Sequence, residues 1–252
     1  MTATALAAAT PAPAPAAPAH SVIELRQYKV VPGERDAMIA LFDRWFVESQ
    51  EELGATLFGQ FRDRDDPDRF VWLRGFPDME RRGQILQAFY YGPVWQAHRD
   101  EANPLLDDND NVLLLRPATP DLAFAAPTGT RPEPGVARPA EDAIVVTIHY
   151  LWKAPDTGFT AWFHDALAPA LRTAGLPVLG GYVPEEAANN FPRLPVREHE
   201  KVFVWFTRAH DRAAYDRAIA GLDQSTRAAL DDFEERPAQI LTLSPTDRSL
   251  LR

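Results

Sequence analysis

Two short apolar stretches carry side chains that could do chemistry together. In VIELRQYKV, which begins at Val22, alternation places Glu24, Arg26 and Tyr28 on one face and Ile23, Leu25 and Gln27 on the other. In RFVWLRGF, which begins at Arg69, Phe70, Trp72 and Arg74 share a face in the same way. A row of charged and aromatic groups on a strand that should be half buried needs partners. If Arg26, Tyr28, Trp72 and Arg74 line a cleft between sheet and helices, two guanidiniums could clamp a carboxylate or an enolate, for which the planar fork of Arg is suited. The competing reading makes each Arg half of a structural ion pair, with Glu24 or Asp78 for example, because buried polar groups are paired whether or not they have a function.

A third stretch, FYYGPVWQAH, sets Gly92-Pro93 between two helical segments, with Pro at a plausible first helical position. Tyr90, Tyr91, Trp95 and His98 then lie at or near a helix start, and Trp95 and His98, three apart, share its face. They could form a pocket wall with a His able to exchange protons near neutral pH. The plainer alternative is aromatic packing with a surface His. The candidate set is therefore Tyr28 and His98 as acid–base groups, with Arg26, Trp72, Arg74, Tyr90, Tyr91 and Trp95 as the ligand-binding wall.

Composition removes other chemistries. The chain has no cysteine, so disulfides, thiolate catalysis and cysteine-ligated metals are excluded. None of the six histidines is paired at the i, i+4 spacing of a helical zinc site, and no metal is expected. No cofactor is expected either; haem stays open as an alternative, because a single axial His leaves no motif. There is no G-x-S-x-G elbow. Gly180-Gly181 precedes no helix as a phosphate loop would, and reads as a bulge or a close backbone approach. A formal net charge of −10 disfavours nucleic acid and anionic lipid as partners, and no apolar run approaches a membrane span. A small-molecule ligand is the expected partner, and six Trp leave material for a self-association interface. Residues 1–20 are almost wholly Ala, Pro and Thr, with no Lys or Arg before Arg26, and read as a disordered tail of a cytoplasmic protein rather than a secretory signal.

The elements that must position these residues come in two matching sets. A Pro-rich stretch over 118–142 reads as a linker between residues 21–117 and residues 143–252. Each side opens with an alternating strand, from Val22 and from Ala143. Each continues with an amphipathic helix, carried by Met38, Leu41, Phe42, Trp45 and Phe46 in the first and by Phe159, Trp162, Phe163, Ala166, Leu167 and Leu171 in the second. A short strand follows, around Phe58 and around Tyr182, then a stronger one from Arg69 and from Lys201. Helical segments capped by Asp78 and Asp211 come next, and strands from Val112 and Gln239 close the halves. The order β-α-β-β-α-β, twice, predicts an α+β fold of two ferredoxin-like repeats. Each sheet would have helices on one face, and the two open faces would pair as an intramolecular α/β barrel. The halves differ: the second lacks a counterpart of the Tyr90–Trp95 run and carries a long excursion from Pro184 to Glu200, readable as a lid, an intersubunit arm or a rigid surface loop.

Three segments also resemble the NIPSNAP family: IELRQYKVVPGERDAM; FVWLRGFPDMERR with FYYGPVWQAH; and NNFPRLPVREHEKVFVWF from Asn189. The resemblance runs from about Ser21 to Pro245, leaving out the linker. It implies a relationship to dimeric α/β barrels, a superfamily that includes small monooxygenases, lactone isomerases and some haem enzymes. It implies no particular reaction, since one fold hosts many chemistries. Eukaryotic relatives have mitochondrial and vesicular roles, but the Arg-free tail does not read as a mitochondrial leader. Three functions are open: a cofactor-independent enzyme using proton transfer or oxygen chemistry on an aromatic or enolisable substrate, a ligand-binding module without turnover, and an interaction scaffold.

Overall fold

Alternating apolar residues give both halves strands that bury two faces at once. The computed structural model describes residues 19–252, so nearly all of the stretch read as a tail lies outside the described residues. The first half runs β1 (Val22–Val30), α1 (Arg35–Trp45), α2 (Glu48–Glu51), β2 (Thr56–Asp63), β3 (Arg69–Phe76), α3 (Met79–Tyr90), α4 (Pro93–Ala102), β4 (Leu106–Asp108) and β5 (Val112–Pro117). The second runs β6 (Ala143–Leu151), α5 (Phe159–Trp162), α6 (Ala168–Thr173), β7 (Val178–Pro184), β8 (Val202–Ala209), α7 (Arg212–Ala220), α8 (Gln224–Phe233) and β9 (Glu234–Pro245).

Within each half the strands pair antiparallel, β2-β3-β1-β5 and β7-β8-β6-β9. Two seams join the halves, β2 with β9 and β5 with β7, each through three residue pairs. Eight strands thus close into an antiparallel barrel with no free edge among them, and the short β4 extends from the end of β1. The barrel interior is apolar: Ile23, Leu25, Val71 and Leu73 meet Ile144, Val146, Val204 and Leu241 there. The intervening residues face outward, where helices cover each half in two further cores. Glu24, Arg26 and Tyr28 therefore point under the first half's helices, and every residue of β1 except Lys29 is buried.

Local chemistry sets the helix ends. Asp78 accepts a hydrogen bond from the Arg81 amide and Asp211 from the Ala214 amide, both at 2.7 Å, capping α3 and α7. Pro93 begins α4 after Gly92. The helix expected from Phe159 to Leu171 is not continuous: residues 163–167 form a π turn between α5 and α6. Pro169 has no N–H to give the Asp165 carbonyl and its ring crowds that oxygen, and the wider turn relieves both. β9 begins five residues earlier than Gln239, and its register against β6 slips at the Pro237 stretch, where no N–H can join the ladder. β7 shifts register at Gly180, and a Cβ there would lie 2.9 Å from the Phe124 ring.

The stretch over 118–142 carries only a short 3-10 turn, but it is strapped to the barrel. Phe124 packs among Phe58, Tyr182 and Phe206, and Arg131 reaches Glu51 at 2.6 Å. No helix among the described residues is long and apolar enough to cross a membrane.

Candidate functional site

The β1–β3 register brings the two candidate rows together: Glu24 lies opposite Arg74, Arg26 opposite Trp72, and Tyr28 opposite Phe70. Cross-strand neighbours share a face, so one surface carries Glu24, Arg26, Tyr28, Trp72 and Arg74. Above it, α1 contributes Met38 and Phe42, α2 contributes Gln50, and α3 contributes Arg82, Phe89 and Tyr90. The second half's excursion supplies the roof. Phe191 and Leu194 are buried in the first half's helix-covered core, and the Phe191 ring stacks on Tyr90 with centroids 5.6 Å apart.

The floor is a charge cluster centred on Glu24. One carboxylate oxygen accepts from Arg26 Nη1 and Arg74 Nε, each at 2.8 Å, and the other accepts from Arg82 Nε at 2.7 Å. All four residues are fully buried. Arg74 also donates to Gln50 Oε1 at 2.7 Å, Arg26 Nε donates to the Tyr28 hydroxyl at 2.9 Å, and Arg82 Nη1 donates to Asn190 and Asn189 of the roof at 2.7 and 3.1 Å. Burial pushes the Glu24 carboxyl up, but Arg74, Arg82 and Arg26 together outweigh it and hold it well below the usual carboxylate range. Burial also pushes the Tyr28 hydroxyl up to about 12, against the pull of Arg26. Tyr28 therefore stays protonated at neutral pH. Its oxygen accepts from Arg26, while its own proton has no acceptor among the described residues.

Beside the cluster lies a cavity of about 160 Å³, the size that admits one aromatic ring. Tyr28, Phe42, Phe46, Trp72, Tyr90 and Trp95 give it an aromatic lining, and Gln50, Asn103, Asn109 and Arg193 add polar atoms. The indole N–H groups of Trp72 and Trp95 are buried without an acceptor among the described residues.

Six of the eight residues picked from the sequence thus gather at one place: Arg26 and Arg74 in the cluster, and Tyr28, Trp72, Tyr90 and Trp95 on the wall. Two do not. Tyr91 is 61% exposed and packs against Arg193 and the edge of Phe191. His98 lies outside the cavity wall, stacked on Trp45 with centroids 4.2 Å apart and bonded through Nδ1 to Glu101 at 2.8 Å. Other contributors lie outside that set, Glu24 at the centre of the cluster among them. Arg82 sits in a run, MERRG, that resembles a solvated helix face. Gln50, on α2, carries no signal in the sequence, and the Asn189-Asn190 pair none beyond the unusual length of its loop. Among the described residues no three His, Asp or Glu side chains converge as a metal would require.

The second half is a built-in comparison. Thr147 lies opposite Trp205 as Arg26 lies opposite Trp72, so Thr147 and His149 stand where the first half has Arg26 and Tyr28. Trp205 Nε1 donates to His149 Nε2 at 3.0 Å, His149 Nδ1 meets Glu234 at 2.6 Å, and Thr147 bonds the Tyr215 hydroxyl at 2.8 Å. Because indole can only donate, Nε2 is the bare nitrogen and Nδ1 carries the proton toward Glu234. One tryptophan of the pair is satisfied internally; its counterpart on the cavity wall is not.

Residues 23–119 match the NIPSNAP family model. The first half is a NIPSNAP domain. No curated protein matches the chain. Among solved structures, a NIPSNAP-like domain protein from Burkholderia xenovorans is 26% identical over 44% of this chain and 93% of its own, with a TM-score of 0.38. Two others span nearly the whole barrel. A protein from Lactobacillus acidophilus, provisionally named a monooxygenase, is 10% identical over 89% of this chain and 93% of its own, with a TM-score of 0.55. An anthrone oxidase-like protein is 11% identical over 90% of this chain and 92% of its own, with a TM-score of 0.53. At such identities the likeness extends to the fold and stops there.

Proposed function

We propose that the NIPSNAP half binds a small, flat organic molecule bearing an acceptor oxygen in the cavity beside the Glu24 cluster, and that Tyr28 donates its proton to that oxygen. One observation carries this reading: Tyr28, Trp72 and Trp95 line an aromatic cavity, and the Tyr28 hydroxyl proton and both indole N–H groups find no acceptor among the described residues. Buried donors left unmatched are costly, and a ligand oxygen supplies the missing acceptor. Tyr28, held protonated by burial and aligned by Arg26, is placed to stabilise a developing oxyanion. That role suits cofactor-independent proton transfer or oxygen chemistry on an enolisable aromatic, and the fold shared with a provisionally named monooxygenase and an anthrone oxidase-like protein is compatible with it.

A non-catalytic binder has its own support. Among the described residues no His, Asp or Glu lines the cavity, so none of them stands on the wall as a general base, and turnover would need the substrate to bring its own basic group or co-reactant. We further read each half as a ferredoxin-like unit, since each places its four barrel strands, the short β4 left out, in the order second, third, first, fourth.

Native mass spectrometry of the purified protein, with an absorption spectrum alongside, tests the binding reading. A co-purifying organic mass should be present in the wild type and lost in the cavity-filling variant Phe46→Trp. Tyr28→Phe should weaken binding by about tenfold, the order of one buried hydrogen bond. Retention of the same mass by Phe46→Trp would place the ligand elsewhere and sink the assignment.

A further inference from the structure

Resting on that reading, we infer that the cavity's ligand is an organic anion, a carboxylate or enolate on an aromatic ring, and that the Glu24–Arg26–Arg74–Arg82 cluster is the device that selects it. The cluster carries a charge imbalance. Three fully buried guanidiniums share a single carboxylate, which leaves two positive charges without a counter-ion. The remaining partners, Gln50, Tyr28, Asn189 and Asn190, are neutral. Buried ions are normally matched in number or neutralised, because an unmatched charge in a low-dielectric interior is expensive.

The excess charge is directed at the cavity. The Arg26 guanidinium lies over the rings of Tyr28 and Trp72, 5.2 and 5.4 Å from their centroids, and both rings form the cavity wall. Gln50, bonded to Arg74, lines the same cavity. Arg26 Nη2 is buried with no hydrogen-bond partner among the described residues, as is the adjoining Trp72 Nε1. The cavity therefore sits one side chain away from a net positive site whose guanidiniums are wholly buried, so that their field is little screened there. Its aromatic lining asks for a ring, and its electrostatics ask for negative charge on that ring's oxygen. The second half supplies the contrast. At the equivalent positions it has Val145, Thr147, Thr207 and His149 in place of Glu24, Arg26, Arg74 and Tyr28, its tryptophan is satisfied by His149, and no buried charge is left over.

Titration of the wild-type protein with matched probes tests this, read by the fluorescence of Trp72 and Trp95 and by calorimetry. The probes are benzoate against benzamide and salicylate against salicylamide, with sulfate as a ring-free anion. The expected result is that each carboxylate binds at least about tenfold tighter than its amide, and that sulfate competes weakly. Arg82→Met removes one of the excess charges from a residue that does not line the cavity, and should narrow the benzoate-to-benzamide ratio several-fold. A merely structural role for Arg82 would lower both affinities and leave the ratio unchanged. Amides that bind as tightly as the acids would overturn the anion inference while leaving the cavity reading in place. Sulfate competing as well as benzoate would reduce the site to a bare anion hole and overturn the organic ligand. No binding by any ring probe up to about 10 mM would remove the cavity reading itself.

Discussion

Replacing Glu24 by Gln tests the ion cluster most directly. The substitution keeps the side chain's shape but leaves three buried guanidiniums with no anion, since Glu24 is the one carboxylate they contact among the described residues. Breaking a buried ion pair by removing one partner costs about 3–5 kcal/mol, and the sharing of this carboxylate puts Glu24→Gln at the upper end. For a chain of this size, each kcal/mol moves the melting temperature by about 2–4 °C, so a drop of roughly 10–20 °C is expected at pH 7. The pH dependence adds a second readout. The folded-state pKa of Glu24 lies below its ordinary 4.5, so between those values the unfolded chain holds more protons and stability rises with pH. The stabilisation is fully present above about pH 4.5 and is lost as pH falls toward the folded value. The gap between wild type and Glu24→Gln in urea unfolding should therefore be widest at pH 7 and close progressively below pH 4.5. A gap under about 1 kcal/mol at pH 7, or one that persists undiminished to pH 3, would refute the view that this carboxylate holds the three arginines together.

Two further substitutions probe other parts of the frame. Burial pushes the Asp43 carboxyl up to about 6, with Arg248, Arg62 and Arg131 pulling against it; the folded state then holds the extra proton between its ordinary value of 3.8 and about 6, and stability falls as pH rises through that window. Asp43→Asn should thus be more stable than wild type at pH 7, by up to about 3 kcal/mol, and no different below pH 3.8; thermal melts with parallel pH profiles would contradict this. Gly83, in the middle of α3, lets the roof approach, since a Cβ there would meet the Asn190 amide nitrogen at 2.8 Å. Asn190 is held at both ends, by Arg82 and by the Met79 carbonyl. Gly83→Ala should therefore leave overall stability within about 1 kcal/mol, the gain in helix propensity offsetting the clash, yet speed proteolysis within residues 184–200. An unchanged cleavage rate would mean that this contact does not hold the roof down.

Strand alternation made much of the fold legible. The same period that put Ile23 and Leu25 on one face and Arg26 and Tyr28 on the other also predicted that two half-covered sheets would pair. Asp78 and Asp211, each ahead of a helical pattern, marked real caps. The relative phase of β1 and β3 was not legible, because alternation fixes faces within a strand and says nothing about which residues lie opposite. Only the register set Arg74 across from Glu24 and turned two rows into one cluster. Arg82 escaped notice because an arginine in the first turns of a charged helix looks the same in sequence whether it faces water or a buried acid. His98 is the expected acid–base group by residue type and spacing, but stacking against Trp45 of α1, a tertiary contact, holds its ring off the cavity wall. The loop from Pro184 to Glu200 announced itself by length and prolines, while its landing place, on the opposite half of the chain, depends on barrel closure.

That landing place has a consequence for how the site behaves in quantity. Arg193 and Leu194 of the excursion close one side of a cavity whose other lining residues all belong to the other half, and Asn189, Asn190 and Phe191 anchor the excursion there. Cover and floor are tied by one covalent chain, so their mutual concentration is set by the tether and stays constant however scarce the protein becomes. Dilution cannot uncover the cavity, and abundance cannot cover it further. A second molecule could take the roof's place only by outcompeting an arm that never leaves the vicinity. The site's properties are in this sense private to each copy of the chain.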